Sequence, residues 1–262
     1  MSKIHRLLIF LALLPAAACS TDTHSIAVHI SNGPAAYTQT FKITEGGQVD
    51  YIGPAKALNG AVEMLIAFNG LLTRDPDKPG LLNLQYQVEL AGGKGKPGRS
   101  VQGTSQVAMR QGDQLTAIEC GPWTVKLALD AKKKAGKNPG GAEWDPAGLP
   151  NYRLTANISA GSSRQECRLI SMSGIQSSVA DSIAQGDRKF GLMFVSLFAP
   201  EEDGRGFSLQ YQANYGPAGA AKSFQLRNEK TLTLNKKTTF AGEGSEIELL
   251  LEGAAPAKQA AP

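Results

Sequence analysis

The residues of this chain with types suited to chemistry are few: three histidines, three cysteines and two short acidic runs. Acid–base or nucleophilic catalysis needs an imidazole held against a carboxylate or a nucleophile. His5 lies ahead of an apolar run, His24 falls in a polar tether, and His29 sits between Val28 and Ile30. Strand alternation places His29 opposite the apolar face, toward solvent. No His/Cys spacing fits a zinc site, and neither a Gly-x-Ser-x-Gly elbow nor a phosphate-loop glycine pattern occurs. The acidic runs are Asp75 with Asp77, and Glu201, Glu202 and Asp203. Calcium takes about six to eight oxygen ligands, more than either run supplies, so these are weak metal candidates. Pro76, Pro79 and Gly80, and Pro200 and Gly204, give both runs the composition of soluble turns. No cofactor is expected. An envelope hydrolase using a carboxylate pair depends on a separation that only the fold can set.

The compartment is written at the N-terminus. Lys3, His5 and Arg6 are followed by the unbroken apolar stretch Leu7 to Leu14 and by Ala16-Ala17-Ala18. This is a secretory leader, predicted over 1–18. Leu13-Leu14-Pro15-Ala16-Ala17-Ala18-Cys19 resembles the lipobox of bacterial lipoproteins. The resemblance is confined to the leader. It implies that Cys19 becomes a lipidated N-terminus and that Ser20 behind it directs the chain to the outer membrane; the expected orientation is toward the periplasm, with surface exposure the alternative. Acyl chains contribute about 0.8 kcal/mol per buried CH₂, so a multiply acylated cysteine holds a protein on a bilayer without a spanning segment. Setting Cys19 aside leaves Cys120 and Cys167, an even number in an oxidising compartment. They form either one disulfide or two thiols.

Composition narrows the partners. Of the 27 Lys and Arg, Lys3 and Arg6 lie in the leader, leaving 25 against 23 acidic residues. A phosphate-binding surface needs a clustered basic excess, and single-strand grooves add aromatics, which make up only 6% here. Nucleic acid is therefore not an expected partner. Lys94, Lys96 and Arg99, in a Gly-rich loop, and Lys132 to Lys134 read as solvated loop charge.

The elements that must position these groups are strands. Leu84, Tyr86, Val88 and Leu90 alternate with Gln85, Gln87 and Glu89, the signature of a half-buried strand. Ile26 to Ile30, Phe41 to Ile43, Val125 to Leu129, Leu154 to Ile158 and Ile247 to Leu251 alternate likewise. Met64 to Phe68 and Leu192 to Phe198 are apolar on both faces and predict central, doubly covered strands, with a short helix over 54–67 as the competitor for the first. Phe41, Ile43, Gly46, Val49 and Ile52 recur weakly as Val107, Met109, Gly112, Leu115 and Ile118, both as strand, turn, strand.

Leu-Gln-Tyr-Gln occurs at Leu84 to Gln87 and again at Leu209 to Gln212, 125 residues on. At that shift Val107 falls on Leu232, Leu115 on Phe240, and Met64 to Leu72 on Lys189 to Leu197. A period this long indicates duplicated globular units. The expectation is all-β: two tandem, internally repeated antiparallel sandwiches with immunoglobulin-like layering. A tether spans 19–25, the first unit 26–130, a Lys/Gly/Pro-rich linker 131–151, the second unit 152–252 and a disordered tail 253–262.

These features point to a noncatalytic, lipid-anchored envelope protein that binds another protein or serves assembly at the outer membrane. The alternatives are a carboxylate-dependent hydrolase and a cell-wall or carbohydrate binder. For the last, exposure of Trp123 and Trp144 is the discriminating feature.

Overall fold

A computed structural model describes residues 22–33, 35–56, 63–92, 99–129, 151–185, 188–202, 206–216, 224–242, 245–254 and 257–258. Seventeen strands account for almost all of them, and no helix occurs among the described residues. The first eight are β1 (Thr23–Asn32), β2 (Ala35–Thr44), β3 (Gln48–Lys56), β4 (Glu63–Arg74), β5 (Leu82–Gly92), β6 (Arg99–Met109), β7 (Asp113–Cys120) and β8 (Trp123–Leu129). The next eight are β9 (Asn151–Ala160), β10 (Ser163–Met172), β11 (Ser177–Gln185), β12 (Arg188–Pro200), β13 (Phe207–Gly216), β14 (Phe224–Leu232), β15 (Thr238–Gly242) and β16 (Ser245–Gly253), with a two-residue β17 (Ala257–Lys258).

The strands form two antiparallel sheets packed face to face. Sheet A runs β15-β16-β9-β10-β7-β8-β1-β2, and sheet B runs β14-β13-β12-β11-β6-β5-β4-β3. The first eight strands thus supply β2-β1-β8-β7 to one layer and β3-β4-β5-β6 to the other. The next eight supply β10-β9-β16-β15 and β11-β12-β13-β14 in the same order. The immunoglobulin-like expectation holds for the layering. The connectivity is largely a meander, in which most consecutive strands pair or cross once between layers; β8 and β9 instead share sheet A with β7 and β10 between them, and β17 returns to pair with β7.

The halves share both sheets. In sheet B, β6 pairs with β11 from Arg99–Ile183 to Thr104–Ser178. In sheet A, β7 pairs with β10 at Ile118–Leu169, Glu119–Arg168 and Cys120–Cys167. The two cysteines are joined by a disulfide, their Cα atoms 4.3 Å apart. One apolar cluster, from Ile26 and Phe41 through Ile118 and Leu169 to Leu249 and Leu251, fills the space between the layers. Alternation explains it: in β5, Leu84, Tyr86, Val88 and Leu90 are buried while Gln85, Gln87 and Glu89 lie on the outer face.

Matching turns set matching registers. Gly46 and Gly174 both have φ of 76°, and each donates its amide 2.7 Å to the carbonyl of Leu72 or of Phe198. Gly112 (φ 87°) donates to Leu129 and Asn235 (φ 61°) to Leu251, at 2.9 and 2.8 Å. These positions need a left-handed backbone, which glycine adopts freely and asparagine tolerates.

Four sequence-based expectations are corrected here. A constant shift of 125 puts Phe68 on Met193, but Leu72 pairs with Leu84 as Phe198 pairs with Leu209, so Phe68 corresponds to buried Phe194. A one-residue slip would have turned that strand inside out. The strand at Met64 to Phe68 is covered on one face only, since Leu65 is 40% exposed. The tether ends earlier than expected: Thr23, His24 and Ser25 already pair with Thr44, Ile43 and Lys42. In the tail, Ala254 is buried, and Ala257 and Lys258 pair with Gln114 and Asp113 of β7.

Candidate functional site

The two outer faces differ in chemistry. Several outward residues of sheet A are charged and pair with one another: Arg168 reaches Glu119 at 3.1 Å and Glu166 at 2.6 Å, and Lys237 reaches Glu248 at 3.1 Å. The Lys237 hydrogen bond holds the Glu248 carboxyl below its usual range. His29 also belongs to this face, with Nδ1 2.9 Å from Thr38 Oγ1 and Lys126 on the neighbouring strand. Partial burial, followed by the Lys126 charge, lowers its pKa. A cleft of about 450 Å³ opens beside the disulfide, lined by Glu119, Arg164, Glu166 and Arg168. Its charges are largely spent on each other.

Sheet B presents amides instead. One row crosses all eight of its strands: Asp50, Asn69, Gln87, Thr104, Ser178, Val195, Gln212 and Arg227, each the register partner of the next. Next to it lie Gln48, Leu71, Gln85 and Gln106 in the first half, and Leu197, Gln210 and Glu229 in the second. Side chains alternate across a strand, so these residues share one surface. Gln48 Nε2 donates to Asn69 Oδ1 at 3.2 Å. A cleft of about 460 Å³ is cut into the second-half portion, lined by Val195, Leu197, Gln210, Gln212, Arg227 and Glu229 among others. An amide offers two donors and an acceptor without charge, so the face can bind a polar partner without desolvating an ion.

At the end of the sandwich from which the N-terminal segment departs, Glu45 is almost fully buried. Arg74 donates to it from Nε at 3.0 Å and from Nη2 at 2.9 Å, and His24 Nε2 lies 3.0 Å from its Oε1. Arg74 also meets Asp22 at 3.3 Å. The hydrogen bond from Arg74 to Glu45 raises the guanidinium's pKa. This cluster ties β1, the β2–β3 turn and β4 together. His24 belongs to the inward set of β1, with Ile26 and Val28, whereas His29 belongs to the outward set. The two imidazoles therefore serve different surfaces.

Buried polar groups line the seam, and two of them, Asn151 and Ser105, join the halves. Asn151 of β9 receives the Ala108 amide at 2.8 Å and donates to the Ala108 carbonyl at 2.7 Å. Ser105 donates to the Ile170 carbonyl at 2.8 Å and contacts Ser177, which donates to Ser171. Gln165 donates to buried Asp181 at 2.9 Å. Sequence reading singled out none of these: Asn151, the first residue of β9, falls at the end of the expected linker 131–151, and Ser and Gln on a strand read as solvent-facing.

The sequence-based candidates fall in different places. Cys19 and the leader lie outside the described residues, as do Asp203, Lys94, Lys96, Trp144 and Lys132 to Lys134. Asp75 caps its own turn, its Oδ1 accepting the amides of Asp77 and Lys78 at 3.0 and 3.1 Å. Glu201 accepts the Thr231 hydroxyl at 2.7 Å, and Glu202 is exposed beside it. Among the described residues no three His, Cys, Asp or Glu side chains converge as metal ligands do. Trp123 is 2% exposed, so it offers no platform for a sugar ring. Cys120 and Cys167 meet at the seam between the halves.

Comparison of the chain with protein-family models, with curated proteins and with solved structures gave no match.

Proposed function

We propose that this chain is a noncatalytic, lipid-anchored protein of the bacterial cell envelope, held at the outer membrane through Cys19 and facing the periplasm, that binds a partner protein through the outer face of sheet B. The observation that carries this reading is the neutral row from Asn69 to Gln212 with its flanking glutamines. Sheet A pairs charges such as Arg168 with Glu119 and Lys237 with Glu248, whereas sheet B leaves amide donors and acceptors facing outward beside half-buried Leu71, Val195 and Leu197. Such a surface of polar groups among apolar ones resembles the composition of non-obligate interfaces. The leader and Cys19 support the location.

The experiment is in-cell photocrosslinking from Gln87 and Gln212, with Lys126 on sheet A as the control position. A discrete, stoichiometric partner trapped only from sheet B is the expected result. Equal trapping from Lys126, or turnover of a cell-wall fragment by the purified protein, would reject the reading. Location is tested separately: Cys19→Ser should move the protein from the membrane to the soluble fraction and abolish acyl labelling.

A further inference from the structure

We propose that the free edges of the sandwich join copies of this chain head to tail, with β3 and β2 of one copy adding to β14 and β15 of the next. The seam inside the molecule is the template. There the inner edge strands of the first half, β6 and β7, pair with the inner edge strands of the second half, β11 and β10. That contact is heterologous, because two different edges meet, and a heterologous contact that does not close on itself can repeat. At the two ends of the molecule the same kinds of edge have no further strand beside them among the described residues: β3 and β2 correspond in sheet position to β11 and β10, and β14 and β15 to β6 and β7. Every pairing within the sheets is antiparallel, so a laterally displaced copy also meets β14 in the antiparallel sense.

Carrying the seam's register to the ends gives specific contacts. In sheet B the seam joins Thr104 to Ser178. Thr104 is held by Gln87 as Arg227 is held by Gln212, and Ser178 by Val195 as Asp50 is held by Asn69. The repeated joint therefore sets Arg227 of one copy against Asp50 of the next, opposite charges at the two ends of an otherwise neutral row. One residue further Leu226 meets Tyr51, and beyond it Gln225 meets Ile52, whose side chain is 69% exposed in the single molecule. Pro54 falls beyond Phe224, where β14 begins, so it terminates the pairing without interrupting it. In sheet A the seam joins Ile118 to Leu169. Phe240 pairs with Ile247 as Ile118 pairs with Val125, and Phe41 pairs with Ile26 as Leu169 pairs with Leu154. The joint thus brings Phe240 against Phe41, and Gln39 and Gly242 take the positions of Cys167 and Cys120.

A lateral repeat keeps every copy's Asp22 at the same end of the strands. All the N-terminal segments would leave on one side, as an array lying along a surface requires. The inference does not depend on the identity of a partner or on the lipid.

The test copies the seam's own disulfide. The chain carrying Cys19→Ser, Gln39→Cys and Gly242→Cys, oxidised mildly, should give a ladder of dimers, trimers and longer species on a nonreducing gel. Each single cysteine variant alone should stay monomeric, and an equimolar mixture of the two should give one dimer band. Homodimers of either single variant, or a monomer band alone from a double variant with strand circular dichroism intact, would overturn the proposal. Without crosslinking, sedimentation should show that Asp50→Arg and Arg227→Asp each weaken association by about tenfold. Mixing the two variants should restore it, since each supplies the complement of the other. Persistent monomers in that mixture would equally reject the joint.

Discussion

Asn151 grips Ala108 by both of its main-chain groups, taking the amide hydrogen on Oδ1 and giving Nδ2–H to the carbonyl. The side chain thereby acts as a piece of neighbouring strand, and it does so between halves of the chain whose connecting segment spans residues 130–150. Its own carbonyl accepts the Ala254 amide at 2.9 Å, so the C-terminal segment is tied to the same point. Asn151→Ala leaves two buried backbone groups without partners and should cost about 2–3 kcal/mol, read as a lower urea midpoint at unchanged slope. A loss under about 0.5 kcal/mol would show that water replaces the amide at this point.

Two glycines should differ in how well they accept a methyl group. A Cβ on Gly103 meets the side chain of Ile118 across the layers, and that chain can be trimmed. Gly103→Ala should cost about 1–3 kcal/mol, and Ile118→Val should recover part of it in a double-mutant cycle. A Cβ on Gly191 meets the Asp181 carbonyl and, at 2.8 Å, Ser182 Cα, which are backbone atoms of the adjacent strand. Gly191→Ala should therefore destabilise more, and no side-chain truncation should rescue it. Equal costs at the two sites would contradict this assignment.

The Cys120–Cys167 bond closes a separation of 47 residues that includes the segment between β8 and β9. Chain entropy assigns such a crosslink about 4 kcal/mol. Replacing both cysteines by serine should lower unfolding stability by about that amount, with the sheets retained by far-ultraviolet circular dichroism. Two alkylatable thiols in the native protein would refute the pairing.

Acid should act through His29. Burial and then Lys126 hold its folded pKa below the ordinary 6.5. The unfolded chain therefore binds the proton at higher pH than the folded one. The contribution to stability is complete above about pH 6.5, is lost as pH falls from there to the folded value, and is constant below it. His29→Gln should flatten that part of a stability-versus-pH curve. An unchanged slope would assign the effect to other groups.

Much of this architecture was readable from the chain, because period-two alternation fixes which residues of β1, β5, β8, β9 and β16 turn inward. The recurrence of Leu-Gln-Tyr-Gln located β5 and β13 at corresponding places in sheet B. A single shift could not follow β4 and β12, since the segments between strands differ in length and only hydrogen-bond register shows that Phe68 answers to Phe194. The seam was not readable for a related reason. Which strand of one half abuts the other depends on edges, and an edge strand has the same alternation as an interior one. Glu45 escaped notice because a lone glutamate before Gly46-Gly47 has the composition of a turn, and its partners Arg74 and His24 lie 29 and 21 residues away.

The way β1 is embedded has a mechanical consequence. Tension applied at Asp22 runs along a strand bonded on both flanks, to β2 over ten residue pairs and to β8 over seven. Such a load shears many hydrogen bonds at once instead of unzipping them in sequence, and the Glu45 clasp resists at the point of application. Whatever pulls on the leading end of this protein meets the sandwich at an interior strand held on both flanks.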